Sequence, residues 1–325
     1  MDESSFDIVQ FLNLIVMILG YYQSTCKFII CCVIYREKLH SLLEYLDDLA
    51  SNRDSLMWNI RTRVMTKDIK FVIKIGKFFA ICCCGSTWAF IVAALLHSKF
   101  TYVAYFTYPF VKSGSMLDIL LNIGLEAITI HTTVGIMISI DAINFFVSQY
   151  LKGEYGSISQ LLLSLNNDSS LSDAKSEMII FTSYRCHVKV TEKLGELQTM
   201  CWYIYLNQVY TSILYTCMIL YMIRFGESSA SFYFIPPGVI CTIFLLCYTG
   251  QIVIDGTDQV IEALGQIKWY RLNVRNQRNL ILFMVFAQRS RGLRTFAFSH
   301  IGMETFLQLL KAICSYWAFL YTVLS

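Results

Sequence analysis

The sequence predicts an all-α fold, a polytopic membrane helix bundle of about six transmembrane helices with cytosolic helical extensions. Of the 325 residues, 56% are hydrophobic and only 15% are charged, whereas soluble domains carry about 25% charged residues. A mean hydropathy of +0.53 implies more apolar surface than a water-soluble core of this size buries. Only 3 prolines and 16 glycines interrupt the chain, which favours long helices over the short strands of a β-barrel.

Six apolar stretches are long enough to cross a hydrocarbon core about 30 Å thick. They cover residues 8–34, 78–97, 119–140, 200–223, 231–254 and 301–325. The second, fourth and fifth stretches contain no Asp, Glu, Lys or Arg. Lys27 and Glu126 lie inside the first and third, and we expect both to face protein rather than lipid because an unsolvated charge is costly in hydrocarbon.

The distribution of Lys and Arg predicts how the chain is oriented. The connecting segments around 36–77, 152–193 and 268–294 hold 21 of the 26 basic residues, and the alternate segments hold 3. By the positive-inside tendency the basic segments lie in the cytoplasm, so both chain ends are expected outside. The acidic start of the chain lacks the basic region of a signal peptide, and we therefore treat the first stretch as a retained span.

The basic segments are organised as helices rather than linkers. Residues 36–77 continue the first span at helical spacing, and Ser170 with Asp173 forms a capping-box pattern before the fourth span. Both segments are otherwise explained as plain extensions of membrane helices. A different case is the unbroken apolar run over 280–287, because eight residues cannot span a bilayer and such a helix must be covered by protein.

This apolar run predicts a subunit interface, with burial inside the same chain as the alternative. The expected interface residues combine the run with an aromatic residue before it. They are Trp269, Leu280, Leu282, Phe283 and Phe286.

The last span carries its polar residues on one stripe about 60° wide, with a bulky apolar residue at the edge. Lys311 lies near mid-membrane, where an unsolvated charge costs about 2.5 kcal/mol or more. A water-filled pathway removes this cost, as does an acidic partner such as Glu126, and a stripe packed against neighbouring helices is a further explanation. The candidate ion-pathway residues are Glu304, Gln308, Lys311, Ser315, Phe319 and Thr322.

No residue pattern supports metal, cofactor or catalytic chemistry. Most of the 12 cysteines lie inside apolar runs without a CxxC pair, and the 5 histidines lack ligand spacing. Nucleotide-binding loops and a hydrolase nucleophile elbow are absent, and the net charge of +3 includes no tract typical of nucleic-acid binding. We therefore expect no enzyme, no cofactor, no metal and no nucleic-acid partner, and the lipid bilayer as surroundings.

The carboxyl-terminal region contains a series of short motifs in a fixed order. They are Trp269, Arg278-Asn279-Leu280, Ala287-Gln288-Arg289-Ser290, Thr305-Phe306, Leu310-Lys311 and Ser315-Tyr316-Trp317-Ala318-Phe319-Leu320. This series resembles the carboxyl-terminal signature of insect odorant receptors. Tyr108-Pro109-Phe110 and Asp141 also match. Gustatory receptors of the same superfamily usually end in TYxxxxxQF, which this chain lacks.

This resemblance implies a seven-helix fold with a cytoplasmic N-terminus. It implies a ligand-gated, non-selective cation channel, assembled as a hetero-tetramer with the odorant co-receptor in the plasma membrane of olfactory sensory neurons. Residues 1–265 would form the transmembrane bundle with the odorant pocket, and 266–325 the cytosolic anchor helix and the pore-lining helix. The family's first span has no counterpart here, and we expect Met1 to be an internal methionine of a longer reading frame.

The resemblance also suggests roles for individual residues. By motif position Phe319 corresponds to the hydrophobic gate and Thr322 to the polar residue just outside it. Family pockets lie in the outer half of the bundle. By depth and chemistry we expect volatile odorants to contact Tyr21, Trp88, Leu125, Thr129 and Tyr233.

Two alternative functions remain open from the sequence, a gustatory receptor-type channel and a heptahelical G-protein-coupled receptor. The second predicts an Asp-Arg-Tyr-like triplet at the inner end of a span and NPxxY in the last one, and neither occurs. A secondary transporter predicts paired repeats with broken helices, which the few prolines do not favour.

Overall fold

The computed structural model describes residues 8–51, 56–99, 111–112, 114–166, 172–224, 233–289, 293 and 301–323, and its regular elements there are all helical. The first helix continues through a π-helical turn at Ile29–Ile34. The helices are α1 (Ile8–Phe28), α2 (Arg36–Ser51), α3 (Trp58–His97), α4 (Met116–Leu163), α5 (Asp173–Arg224), α6 (Ile235–Gln266), α7 (Val274–Ala287) and α8 (Met303–Val323).

These helices confirm the predicted all-α fold. α3 ends at His97 and α7 at Ala287, the ends predicted for the second span and for the apolar run. By length and apolar composition four helical stretches in the described ranges can cross a membrane. They are Ile15–Ile34, Trp58–Leu96, Met116–Asn166 and Ile235–Gln266. The other two predicted spans lie within α5 and α8, and the count of six stays a prediction.

Contacts between helices fix their directions. α3 and α4 are antiparallel, because Arg61 meets Glu154 near one end and Trp88 meets His131 near the other. α4 and α6 are parallel, since Gly156 lies beside Gln259 and Asn166 bonds the backbone at Gln266 and Lys268. The end where α1, α4 and α6 begin is named the upper end, and the opposite end the lower end. The charge pattern predicts that the lower end is cytoplasmic.

Local sequence explains several helix starts. The Ser115 hydroxyl accepts a hydrogen bond from the Asp118 N–H at 3.2 Å, and the Asn273 side chain accepts from the Asn276 N–H at 2.8 Å. Both are N-caps that satisfy a free backbone donor. α6 begins with prolines in its first turn. A backbone N–H at this position has no intrahelical acceptor, so the absence of an N–H in proline removes no hydrogen bond.

α4 lies at the centre of the bundle and holds two neighbours through buried ion pairs. Lys27 of α1 is fully buried, and its Nζ donates to Asp141 Oδ1 at 2.6 Å and Oδ2 at 2.8 Å. Arg61 of α3 donates from Nε to Glu154 Oε2 at 2.7 Å and from Nη2 to Oε1 at 2.6 Å. Lys27 and Glu126 are both buried, so each faces protein as the sequence predicts.

Glycines allow the closest helix approaches. A Cβ at Gly256 of α6 would lie 3.2 Å from the Lys152 Cα of α4. A Cβ at Gly250 would overlap with the Ile301 carbonyl oxygen. The chain just before α8 therefore rests directly on the α6 backbone, and the Gln251 side chain accepts a hydrogen bond from the Met303 N–H at 3.2 Å.

We expect Gly250→Ala to destabilise the seating of α8 on α6. The added methyl group must displace the Ile301 backbone, and overpacking of this kind costs about 1–3 kcal/mol. The measurement is the thermal midpoint of the detergent-solubilised protein, followed by intrinsic fluorescence.

The matched control is Gly265→Ala on the same helix, where an added Cβ meets nothing within 4 Å. This variant is expected to be neutral or to gain up to about 1 kcal/mol from helix propensity. Equal midpoints for the two variants would contradict the close contact at Gly250.

Candidate ion pathway and ligand site

The lower half of α8, up to Ile313, packs on α5 and α6 with one face, whereas residues 314–319 are all exposed. Thr305, Leu309 and Ile313 are buried on this face, and the Phe306 ring meets Phe244 of α6 edge to face at a centroid distance of 5.5 Å. Antiparallel pairing with α6 carries α8 upward from the seat at Gly250.

The polar stripe predicted from the sequence lies on the opposite face of α8. Glu304, Gln308, Lys311 and Ser315 are all exposed, and Phe319 is 59% exposed. The stripe spans about 27 Å at 1.5 Å per residue, close to the thickness of a hydrocarbon core. The Thr322 hydroxyl near its upper end donates to the Ala318 and Phe319 carbonyls.

Lys311 and Lys27 have opposite environments. Lys27 is buried and paired, whereas Lys311 is exposed and takes part in none of the ion pairs formed by the described residues. Glu126, the acidic partner considered from the sequence, is buried on α4. The chain's own fold leaves the Lys311 charge to its surroundings.

Of the five residues predicted to contact odorants, four are exposed and one is half-buried. Trp88 and Tyr233 are 57% and 56% exposed, and Leu125 is 47% exposed. Thr129 is exposed and Tyr21 is half-buried. Helix rotation decides which side chains face inward, and the contact of these five with odorants stays a prediction.

An inward-facing cluster that was not predicted from the sequence lies near the upper end, and four helices contribute to it. Half-buried Met17, Tyr215, Met218 and Ile235 pack against it. This upper cluster consists of Val16 of α1, Phe90, Ile91 and Ala94 of α3, Ile130 of α4 and Ile219 of α5. Its spacing on α3, at positions four apart, is the signal that could have found it.

Buried polar side chains lie one to two turns below the upper cluster. Thr211, Ser212 and Thr216 of α5 are buried, and Thr216 donates back to the Ser212 carbonyl at 2.8 Å. Gln23 Nε2 and Gln208 Oε1 are buried without a hydrogen-bond partner among the described residues. An apolar cluster beside a few buried polar side chains has the usual composition of a small-molecule site.

α7 forms the candidate anchor, and one of its faces is covered by its own chain. The Phe283 ring, 1% exposed, meets Tyr184 at 5.6 Å and His187 at 5.2 Å between ring centroids, both on α5. Leu280 is 3% exposed. Leu280 and Phe283 are therefore buried against their own chain, which is the alternative considered from the sequence, and a contact of either with another subunit stays a prediction.

The other face of α7 is uncovered. Leu282 is 58% exposed, Phe286 is 44% exposed, and Trp269 just before the helix is 58% exposed. Ile281 and Val285 extend the same apolar surface. These three predicted residues, unlike Leu280 and Phe283, are free to meet another subunit, and that role stays a prediction.

Comparison with known families decides the identity of this bundle. A family model described as 7tm Odorant receptor matches residues 7–314. The chain belongs to the odorant receptor family. The resemblance seen in the sequence is thereby confirmed, and the odorant branch is favoured over the gustatory and G-protein-coupled alternatives.

Solved structures agree with this odorant receptor fold. The structure of the insect olfactory receptor OR5 from Machilis hrabei in complex with eugenol matches with a TM-score of 0.80 at 16% identity, over 98% of this chain and 83% of that chain. A second structure of that receptor matches with a TM-score of 0.77 at 17% identity and the same coverage. At such identity the likeness shows the shared fold.

Two parts of the odorant receptor resemblance remain untested. Tyr108-Pro109-Phe110 lies outside the described residues. Phe319 and Thr322 lie beyond the residues that the family model matches, so their assignment as gate and flanking polar residue stays a prediction.

We expect the stability of this odorant receptor to depend on His187 at mildly acidic pH. The imidazole is 3% exposed between Tyr155 of α4 and Phe283 of α7, and burial lowers its pKa to about 4. An unfolded histidine titrates near 6.5, so the unfolded state binds the proton first. The free energy of unfolding should fall between about pH 6.5 and pH 4, by at most about 1.4 kcal/mol per pH unit.

Thermal midpoints of the solubilised protein between pH 4.5 and pH 7 measure this dependence. His187→Phe keeps an aromatic ring and should reduce the slope, whereas His40→Gln, at an exposed histidine, should leave it unchanged. The same slope in His187→Phe as in the unmodified chain would rule out the buried neutral imidazole.

Proposed function

We propose that this chain is a subunit of a ligand-gated, non-selective cation channel. It opens when a small volatile odorant binds in the upper half of the bundle. It works in a hetero-tetramer with the odorant co-receptor, in the plasma membrane of olfactory sensory neurons. Residues 1–265 carry the ligand site and 266–325 carry the anchor and the ion pathway.

The observation that carries this proposal is the uncovered polar face of α8. A lysine turned toward hydrocarbon costs about 2.5 kcal/mol or more, yet Lys311 is exposed in the isolated chain. Several subunits arranged around a common axis turn this face toward shared water and remove the cost. The exposed apolar face of α7 supports the same assembly, because contiguous apolar surface of this kind marks contact sites between proteins.

The upper cluster supports an apolar ligand site. Its members are aliphatic and aromatic, and Tyr215 with the hydroxyls of α5 supplies a few polar groups for orientation. The Machilis hrabei receptor of the same fold was solved in complex with eugenol. We propose that the ligand of this chain is likewise a small volatile molecule.

Two helices connect the ligand site to the pathway. Ile219 of α5 belongs to the upper cluster and Ile235 of α6 packs against it, and both helices pack on α8. Along α6, Phe244 lies about 14 Å below Ile235 and contacts Phe306 of α8. A ligand that shifts α6 therefore acts on α8 through this ring pair. Phe319, the bulky apolar group at the upper end of the stripe, is then placed to gate by dewetting.

The test is whole-cell current in cells that express the chain with and without an odorant co-receptor, challenged with a panel of volatile odorants. We expect a rapid, cation-carried current that needs the co-receptor and persists when G-protein signalling is blocked. A current that depends on G proteins, or a surface-expressed complex that stays silent to every odorant, would contradict the proposal.

Substitutions on α8 refine this test in the same cells. Phe319→Ala should raise the basal current or shift the odorant dose-response, because it removes the bulky apolar group. Tyr316→Ala truncates an aromatic side chain off the stripe and serves as the control. Equal effects of the two substitutions would argue against a gate at Phe319.

A further inference from the structure

The exposed face of α3 changes its chemistry along the helix. Its upper part is apolar, with Phe78 64%, Ile81 70%, Trp88 57% and Val92 48% exposed. Its lower part is cationic, and each basic residue there is exposed. These residues, named the α3 basic stripe, are Arg63, Lys67, Lys70, Lys74 and Lys77.

The stripe is one continuous line on the helix surface. Successive members are four or three residues apart, which places all five within an arc of about 80° and over about 21 Å of helix length. The same arc continues upward through Ile81 and Trp88. Along this arc the change from basic to apolar occurs between Lys77 and Ile81.

Most of the positive charge of the stripe is not offset by its own chain. None of the five residues joins an ion pair in the part of the chain that the structure describes. Asp68, the one carboxylate in the α3 sequence, faces α4 beside Gly153, and its charge interacts with Lys67 and with Lys152 of α4. The other four stripe residues present their charges to the surroundings.

The position of the stripe identifies what surrounds it. A membrane helix whose exposed face turns from apolar to basic at Lys77 leaves the hydrocarbon at that residue. Lys74 and Lys70 follow within about 10 Å, a distance that covers the headgroup layer and is comparable to one Debye length. Exposed Phe71 and Ile73 flank these lysines, as expected where a helix passes through the interface rather than through free water.

We propose that the α3 basic stripe binds anionic phospholipid headgroups at the lower membrane surface, with Lys70, Lys74 and Lys77 on the phosphates. Clustered cations directly below a membrane helix have the chemistry for this ligand. The continuous apolar face above the stripe gives the acyl chains of the same lipids a surface to lie on. The binding is independent of the channel function proposed above.

Trp88 provides a reporter on the same face of α3. The full chain, with Trp58, Trp202, Trp269 and Trp317 replaced by Phe, is reconstituted in phosphatidylcholine vesicles. Part of the lipid is then exchanged for dibrominated phosphatidylserine or for dibrominated phosphatidylcholine. Bromine quenches the Trp88 fluorescence on contact, so the two quenching curves give the relative affinity of the lipids at this face.

We expect phosphatidylserine to be preferred at low salt by at least about five-fold, roughly the effect of one basic residue at a charged surface. The preference should fall below about two-fold in 1 M salt, where the Debye length is about 3 Å. The preference for phosphatidylserine should also fall below about two-fold, already at low salt, in the triple variant Lys70→Gln/Lys74→Gln/Lys77→Gln.

The matched control is Lys175→Gln/Lys189→Gln/Lys268→Gln, three exposed lysines outside the stripe with the same change in net charge. This control should keep the preference. Equal quenching by the two lipids in the chain with the unmodified stripe would overturn the proposal. So would an unchanged preference for phosphatidylserine in the stripe variant.

Thermal midpoints in nanodiscs give a second measurement on the chain with all its tryptophans. Phosphatidylserine should raise the midpoint of the unmodified chain and of the control variant but not of the stripe variant. The opposite result is that phosphatidylserine leaves all the midpoints unchanged while the stripe variant loses its association with the co-receptor. In that case the stripe binds protein, and the lipid proposal is wrong.

Discussion

Two buried ion pairs on α4 are the constraint on which the rest of the bundle depends. Asp141 holds Lys27 of α1, and Glu154, about 20 Å lower, holds Arg61 of α3. Removing one partner of such a pair costs about 3–5 kcal/mol, so these contacts specify the rotation and depth of α1 and α3 against α4. With these two helices fixed, their inward faces form the upper cluster, and the outer face of α3 presents its basic and apolar halves.

The chain places the basic residues of its helices in two kinds of environment. Lys27 and Arg61 are enclosed and paired inside the chain, which makes them parts of the scaffold. Lys311 and the α3 basic stripe are left exposed, which makes them dependent on something outside the chain. We propose water in a shared pathway for Lys311 and lipid headgroups for the stripe, and both proposals start from the exposure of these side chains rather than from charge alone.

The sequence predicted most of the fold because its signals are local. The length of the apolar stretches and the small number of prolines and glycines predict the helices. The charge of Lys27 already implied a position that faces protein. The spacing of Glu304, Gln308 and Lys311 defined one face of α8. Helix rotation and neighbour identity are not local. Trp88 was therefore assigned to a pocket although it lies on the outer face of α3, and Phe283 to an interface although α5 already covers it.

The most direct test of a water-lined α8 is the accessibility of introduced thiols in the functioning channel. In a Cys314→Ser background, Ser315→Cys lies on the exposed polar face and Ile313→Cys on the buried face. A charged, membrane-impermeant thiol reagent should reduce the odorant-evoked current through Ser315→Cys within seconds to minutes and leave Ile313→Cys and the background unchanged. Modification of Ile313→Cys at the same rate, or a Ser315→Cys channel that the reagent does not affect, would contradict a pathway along this face.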